Sequence, residues 1–103
     1  MRPYRLIAFG VVLTCIAANA FSSDTSAHLY KSKCQGCHGA AGKATPMGKK
    51  IGARDFQDPD VASMSEDELA TVTKNGKNKM PAYKGKLTDQ QIDGLVKYIK
   101  AMK

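Results

Sequence analysis

The 103-residue sequence contains no tryptophan, and aromatic residues make up only 7% of it. It has three cysteines, and no apolar run reaches the roughly 20 residues that a transmembrane helix needs. A chain of this length holds one domain, which excludes a large enzyme with a separate cofactor domain. Acidic residues are also scarce, with 9 Asp and Glu against 16 Lys and Arg, for a formal net charge of +7.

The first twenty residues have the order of regions found in a secretory signal peptide. Two arginines precede a mostly apolar run over 6–18, and Ala18-Asn19-Ala20 supplies the small residues of a cleavage site. We predict a cleaved signal over 1–20 and a domain over 21–103, located in the periplasm or alternatively the thylakoid lumen. The alternatives are a cut after Ala27 and an uncleaved anchor, although thirteen apolar residues are too short to cross about 30 Å of hydrocarbon.

Residues 21–103 contain few side chains that could form a core. They carry a net charge of +5 and only 19 large apolar residues. A domain this small buries barely enough surface to offset its chain entropy, so it usually needs a disulfide, a metal or a cofactor. Two cysteines remain after removal of the signal, and export makes a disulfide the first expectation.

Helix caps and apolar periodicity predict an all-α fold, because no stretch alternates like a strand. Two S/T-x-x-E/Q sequences, Ser65–Glu68 and Thr88–Gln91, are capping boxes that start helices. The predicted elements are a helix over 24–34, a glycine-rich loop over 36–60 with one turn near 47–51, a helix over 65–75, a loop over 78–87 and a helix from 88 to 102.

Cys34-Gln-Gly-Cys37-His38 is the attachment signature of a c-type haem. One helical turn presents both sulfurs to the vinyl groups at one edge of the porphyrin, where they form thioethers, and the adjacent His38 is directed at the iron. A redox dithiol is an alternative, but that motif opens a helix after a strand. A zinc site with His38 and His28 is another, but a closed site needs two separated ligand pairs. The signature predicts one covalently attached haem c with its iron.

The sixth position of that iron needs a ligand from a different loop, because residues near His38 cannot reach the opposite ring face. Met80 lies 42 residues downstream of His38 at a loop tip, where Pro81 restricts it to an extended backbone. We therefore predict His38 and Met80 as the axial ligands. The other methionines of the domain are interpreted as packing residues: Met47, Met64 and Met102.

These motifs resemble those of the small soluble class I c-type cytochromes of the bacterial and photosynthetic type. The matching segments are Cys34-x-x-Cys37-His38-Gly39, Lys79-Met80-Pro81-Ala-Tyr83 and the last amphipathic helix. The resemblance covers 24–103 and implies the cytochrome c fold. In that fold three to four short helices and loops wrap around one covalently bound haem, and the first and last helices cross closely.

The resemblance also implies which residues pack at the helix crossing. Tyr30 matches the family's aromatic residue before the cysteines, and Tyr98 would supply the packing residue on the last helix. Where the family often has Gly, this chain has Ser26, so a close crossing relies on Ser26 or Ala27 being small.

Two contacts with the haem surroundings are implied in the same way. The family commonly has a proline whose carbonyl accepts a hydrogen bond from the histidine Nδ1–H, and Pro46 is the candidate, at a shorter spacing than in mitochondrial-type proteins. Haem propionates usually find a basic or hydroxyl partner, and Arg54 is the candidate for that role.

An iron with two axial ligands has no open position for oxygen, peroxide or substrate, and a His/Met pair raises its reduction potential. No Ser-His-Asp set, carboxylate pair or phosphate loop indicates a reaction elsewhere. We therefore predict a soluble electron carrier, not an enzyme, that cycles Fe(III)/Fe(II) between redox partners outside the cytoplasm. The alternatives are a haem peroxidase-like enzyme and a haem-sensing module with a labile Met ligand.

Lysines are concentrated in the two segments that contain the iron ligands. Segments 28–50 and 74–86 each hold five lysines and no acid, whereas 54–68 holds six acidic residues against Arg54. We predict a positive ring at the haem edge that steers the protein to redox partners with acidic docking surfaces, with ordinary solvated lysines as the alternative. We expect no nucleic-acid partner, no membrane span after signal removal, and a monomer.

Overall fold

The computed structural model describes Gly10 and residues 23–102, and this part of the chain forms six α-helices and no strand. The all-α prediction is confirmed, and the three predicted main helices correspond to the first, fifth and sixth. The helices are α1 (Ser23–Lys33), α2 (Gln35–His38), α3 (Pro46–Lys50), α4 (Pro59–Ala62), α5 (Glu66–Asn75) and α6 (Asp89–Lys100). Apart from Gly10, the predicted signal peptide lies outside the described residues.

Both predicted capping residues start their helices. The Ser65 hydroxyl accepts a hydrogen bond from the Glu68 N–H at 3.1 Å at the start of α5. The predicted box is only half formed there, because Glu68 Oε1 accepts from the Ser65 hydroxyl and not from the Ser65 N–H. At α6 the box is complete, because Thr88 Oγ1 accepts from the Gln91 N–H and Gln91 Oε1 accepts from the Thr88 N–H. These bonds satisfy backbone donors that a helix start would otherwise leave free.

The core lies where α1 and α5 both pack against α6. The α6 stripe of Ile92, Leu95 and Val96 is fully buried, as is Tyr30 of α1. The rings of Tyr30 and Tyr98 are 5.4 Å apart between centroids. Ser26 is 2% exposed, so it supplies the small buried residue on α1. The first and last helices therefore pack together as the resemblance implies.

The one-turn helix α2 is the helical turn predicted at the cysteines, and the predicted turn near 47–51 is the helix α3. The one-turn helix α4 was not predicted. Helix α3 packs against α2, and Thr45 joins them by accepting from the Gly48 N–H and donating to the Gly36 carbonyl at 2.7 Å. A Cβ on Gly48 would overlap the Cys37 carbonyl oxygen. Glycine at this position therefore allows α3 to approach the cysteine segment, which comprises residues 34–38.

The packing prediction for the spare methionines is right for Met102 and wrong for Met47. Met102 packs against the core, whereas Met47 is 65% exposed. Helix α3 is only five residues long and buries Gly48, so the Met47 side chain has no core to enter. Met64 is half-buried, and its carbonyl accepts a hydrogen bond from the Lys100 ammonium.

Candidate functional site

The two cysteines lie on one turn of chain that follows directly from α1. The Cys34 N–H donates to the Tyr30 carbonyl, and the N–H groups of Cys37 and His38 both donate to the Cys34 carbonyl. Both thiols are free and half-buried. Burial raises the pKa of the Cys34 thiol to about 11. A reactive dithiol depends on a lowered thiol pKa, so this environment does not favour the dithiol alternative.

His38 lies beside the second thiol with its imidazole partly buried. Burial lowers the pKa of this imidazole, which favours the neutral form that binds metals. Its Nδ1 atom is buried and has no hydrogen-bond partner within the described chain, so the predicted bond to the Pro46 carbonyl is not formed here. The Phe56 ring stacks on the imidazole instead, with centroids 4.9 Å apart and planes at 26°. The Phe56 contact was not predicted.

Two glycines and three hydrogen bonds determine the conformation of the loop after His38. Gly39 and Gly42 both have positive φ, and a Cβ on Gly42 would clash with the Phe56 ring. The loop is therefore shaped to let Phe56 reach the imidazole. Three hydrogen bonds hold it: Tyr30 Oη to the Gly39 carbonyl (2.6 Å), Phe56 N to the Gly42 carbonyl (2.8 Å) and Ala44 N to Asp55 Oδ1 (2.7 Å).

Met80 closes a tight turn between α5 and α6. Its N–H donates to the Lys77 carbonyl at 2.9 Å, its carbonyl accepts from the Lys77 N–H at 3.3 Å, and Asn78 takes a left-handed φ of 53° inside the turn. The side chain is half-buried. Three residues later, the Tyr83 hydroxyl donates to the Lys33 carbonyl at 2.9 Å. The Met80 loop is thereby tied to the residue that precedes Cys34.

Arg54 lies on the surface, with its side chain 55% exposed. Its guanidinium pairs with Asp58 at 3.3 Å and with Asp60 at 3.2 Å, and hydrogen bonds to these carboxylates raise its pKa. Arg54 is thus engaged with neighbouring acids, and its role toward a propionate stays a prediction.

The residues present fit a covalently attached haem. Two free thiols share one turn, an imidazole with an unpaired buried Nδ1 lies beside them, and a thioether is on a loop tied to the same segment. Over residues 23–102 no group of three or more His, Cys, Asp or Glu side chains could hold a metal ion, and His28 is exposed. The zinc alternative therefore finds no ligand set there.

The searched residues contain no helix with the length and apolar character needed to cross a membrane.

Comparison with known proteins places these features in a family. A family model described as cytochrome C oxidase, cbb3-type, subunit III matches residues 22–99. Cytochrome c6 of Nostoc sp. strain PCC 7120 is 31% identical over 93% of this chain and 88% of its own length. Cytochrome c6 of Thermostichus vulcanus is 32% identical over 90% of this chain and 80% of its own length.

Solved structures agree with the sequence relatives. The KustC0563 c-type cytochrome superposes with a TM-score of 0.71 at 30% identity, covering 76% of this chain and 96% of its own. Cytochrome c6 from the diatom Phaeodactylum tricornutum superposes with a TM-score of 0.58 at 26% identity, covering 79% of this chain and 93% of its own.

The fold and the relatives define a small class I c-type cytochrome. The chain belongs to the cytochrome c family, with the cytochrome c fold and covalently bound haem c as its cofactor. It is a soluble electron carrier that acts with redox partners, as its relatives indicate. The family prediction made from the sequence is confirmed.

Proposed function

We propose that this chain is an exported mono-haem electron carrier in which Cys34 and Cys37 hold the haem through thioethers and His38 and Met80 are the axial ligands of its iron. The observation that carries the proposal is the placement of both thiols and a partly buried imidazole, whose pKa burial lowers, on one turn. When bound, the haem supplies an iron that cycles between Fe(III) and Fe(II).

The chain's own residues determine what that iron can do. The stacked Phe56 ring restricts rotation of the His38 imidazole, and the neighbouring loop excludes water from its Nδ1 side. The Met80 thioether is a soft ligand that favours a high reduction potential. With His38 and Met80 both bound to the iron, the haem would have no open position for a substrate, so we propose an electron carrier and not an enzyme.

The optical spectrum of the purified haem-containing protein tests the ligand assignment. We expect a thioether-linked, low-spin haem with a weak near-infrared sulfur-to-iron band. Met80→Ala should abolish that band and leave the haem attached, whereas Met64→Ala, a change at another half-buried loop methionine, should leave the band intact. A high-spin wild-type haem would favour a haem enzyme, and absence of haem would reopen the dithiol and zinc alternatives.

Surface charge supports a docking function for the segments that carry the ligands. Ten lysines lie in the two segments that contain the predicted iron ligands, 28–50 and 74–86. Nine of them are exposed, and Lys74 is half-buried. Within the described chain Lys74 is the one member in an ion pair, with Asp89 at 3.6 Å. The positive charge therefore stays available to attract a partner with an acidic docking surface. The lysines are Lys31, Lys33, Lys43, Lys49, Lys50, Lys74, Lys77, Lys79, Lys84 and Lys86.

Electrostatic steering has a kinetic signature that tests the docking proposal. The rate of electron exchange with an acidic redox protein should fall steeply as ionic strength rises, because salt screens exposed charges. A rate that does not change with ionic strength would contradict it.

Export is the remaining part of the proposal. The charged start, apolar run and Ala-x-Ala site over residues 1–20 support secretion to the periplasm or a thylakoid lumen. Intact mass and amino-terminal sequencing of the haem-containing protein test it, and we expect a mature chain that begins near residue 21. A chain that retains residues 1–20 would contradict cleavage.

A further inference from the structure

Tyr83 connects three parts of the molecule at a position three residues after Met80. Its ring packs against the core, and its backbone and hydroxyl groups all have partners. The loop is thereby fixed to α5, to the following turn and to α1. The four bonds are Tyr83 N to the Thr73 carbonyl (3.0 Å), Lys86 N and Leu87 N to the Tyr83 carbonyl (2.9 Å each), and Tyr83 Oη to the Lys33 carbonyl (2.9 Å).

The Lys33 carbonyl, which accepts the hydrogen bond from the Tyr83 hydroxyl, lies at the end of a helix. Lys33 is the last residue of α1, and the last carbonyls of a helix lack the partners that a continuing helix would provide. The N–H of Cys37, four residues further on, donates to the Cys34 carbonyl instead. Tyr83 therefore fills an acceptor that the turn into the cysteine segment leaves open.

Met80 has little freedom to move independently of Tyr83. The 77–80 turn holds its backbone on one side, and a Cβ on Gly76 would overlap the Met80 carbonyl oxygen. On the other side two residues separate it from Tyr83, which span at most about 10 Å between the two Cα atoms. Displacement of Tyr83 from α1 therefore loosens the segment that presents the thioether.

We propose that Tyr83 is a positioning residue whose hydroxyl bond to Lys33 holds the Met80 loop against the cysteine segment, and so controls how readily an external ligand displaces Met80 from the iron. The proposal rests on the axial role of Met80 given above. Tyr83 is not one of the two proposed iron ligands and acts through the loop that carries Met80. The hydrogen bond from the Tyr83 hydroxyl to the Lys33 carbonyl is exposed, so water can reach both groups when the bond breaks.

A titration of the ferric haem-containing protein with imidazole at neutral pH tests the positioning role of Tyr83. Loss of the near-infrared sulfur-to-iron band measures the displacement of Met80. Tyr83→Phe removes the hydroxyl and keeps the ring. We expect its apparent imidazole Kd to fall about fivefold, the equivalent of one ordinary hydrogen bond. Its limiting binding rate at saturating imidazole should rise, because the loop opens more often. Tyr98→Phe is the control, since the Tyr98 hydroxyl has no hydrogen bond within the described residues.

The outcomes separate this proposal from the proposed function. A wild-type protein that lacks the sulfur-to-iron band shows that Met80 is not the ligand and overturns both. If the band is present, an imidazole Kd and a limiting rate in Tyr83→Phe that match Tyr98→Phe overturn the positioning role alone. A fall in global unfolding stability with both imidazole values unchanged also overturns it, because that result describes a purely structural residue.

Discussion

Tyr30→Phe removes the donor from the most buried hydrogen bond beside His38. The Tyr30 hydroxyl is 2.6 Å from the Gly39 carbonyl oxygen, Tyr30 is 1% exposed, and Gly39 is buried, so water cannot replace the lost donor. An acceptor left unsatisfied in this way costs about 1–3 kcal/mol. The phenyl ring retains the contacts with Tyr98 and Phe56. We therefore expect the free energy of unfolding to fall by about 1–3 kcal/mol.

The same substitution changes how stability depends on pH. Burial raises the pKa of Tyr30 well above its ordinary value of 10.0. Above pH 10 the unfolded chain loses this proton while the folded chain keeps it, so the folded state binds more protons and stability falls as pH rises. The stability that the raised Tyr30 pKa contributes is fully present below pH 10 and is lost as the pH rises above 10. The difference between wild type and Tyr30→Phe should therefore narrow above pH 10.

Urea unfolding of the haem-containing proteins, followed by haem absorbance from pH 7 to pH 11, measures both effects. Tyr98→Phe is the matched control, because it removes a hydroxyl from the neighbouring ring without removing a hydrogen bond within 23–102, and it should cost less than Tyr30→Phe. Equal stabilities of Tyr30→Phe and wild type at pH 7 would refute the reasoning. A difference that widens above pH 10 would refute the pKa argument.

Two further substitutions test the helix packing and the caps, both measured by urea unfolding of the haem-containing protein. Ser26→Leu should lower the free energy of unfolding by about 1–3 kcal/mol, because it adds volume to a buried face of α1, whereas Ser32→Leu on the exposed face should not. Equal effects would contradict a close contact at Ser26. Thr88→Ala removes the cap that accepts from the Gln91 N–H and should cost about 0.5–2 kcal/mol, while Thr71→Ala on the exposed side of α5 should cost less. No loss in Thr88→Ala would show that the cap is dispensable.

The parts of the fold that the sequence predicts are those with local causes. Ser65 and Thr88 start α5 and α6 because their hydroxyls accept bonds from residues three positions ahead. The α6 stripe is buried because its apolar residues recur at the helical period. The cysteine segment forms one turn because its spacing is itself a helical turn. Each of these features is determined within about ten residues of sequence.

The parts that were missed depend on a short helix or on distant residues. Helix α4 has four residues, too few to show an apolar period. For α4 the Asp58-Pro59 pair was a usable signal, because proline is favoured at the first helical position. The stacking of Phe56 on His38 has no local pattern that predicts it. Tyr83 likewise finds its acceptor 50 residues away.

The contact between α1 and α6 makes the core depend on two segments that are far apart in the chain. Helix α1 precedes the cysteines, whereas α6, which supplies Ile92, Leu95 and Val96 to the core, begins only after helix α5 and the Met80 loop. A contact between such distant segments forms slowly, because the long loop between them must be closed first. The core against which Cys34 packs is therefore incomplete until α6 has joined α1.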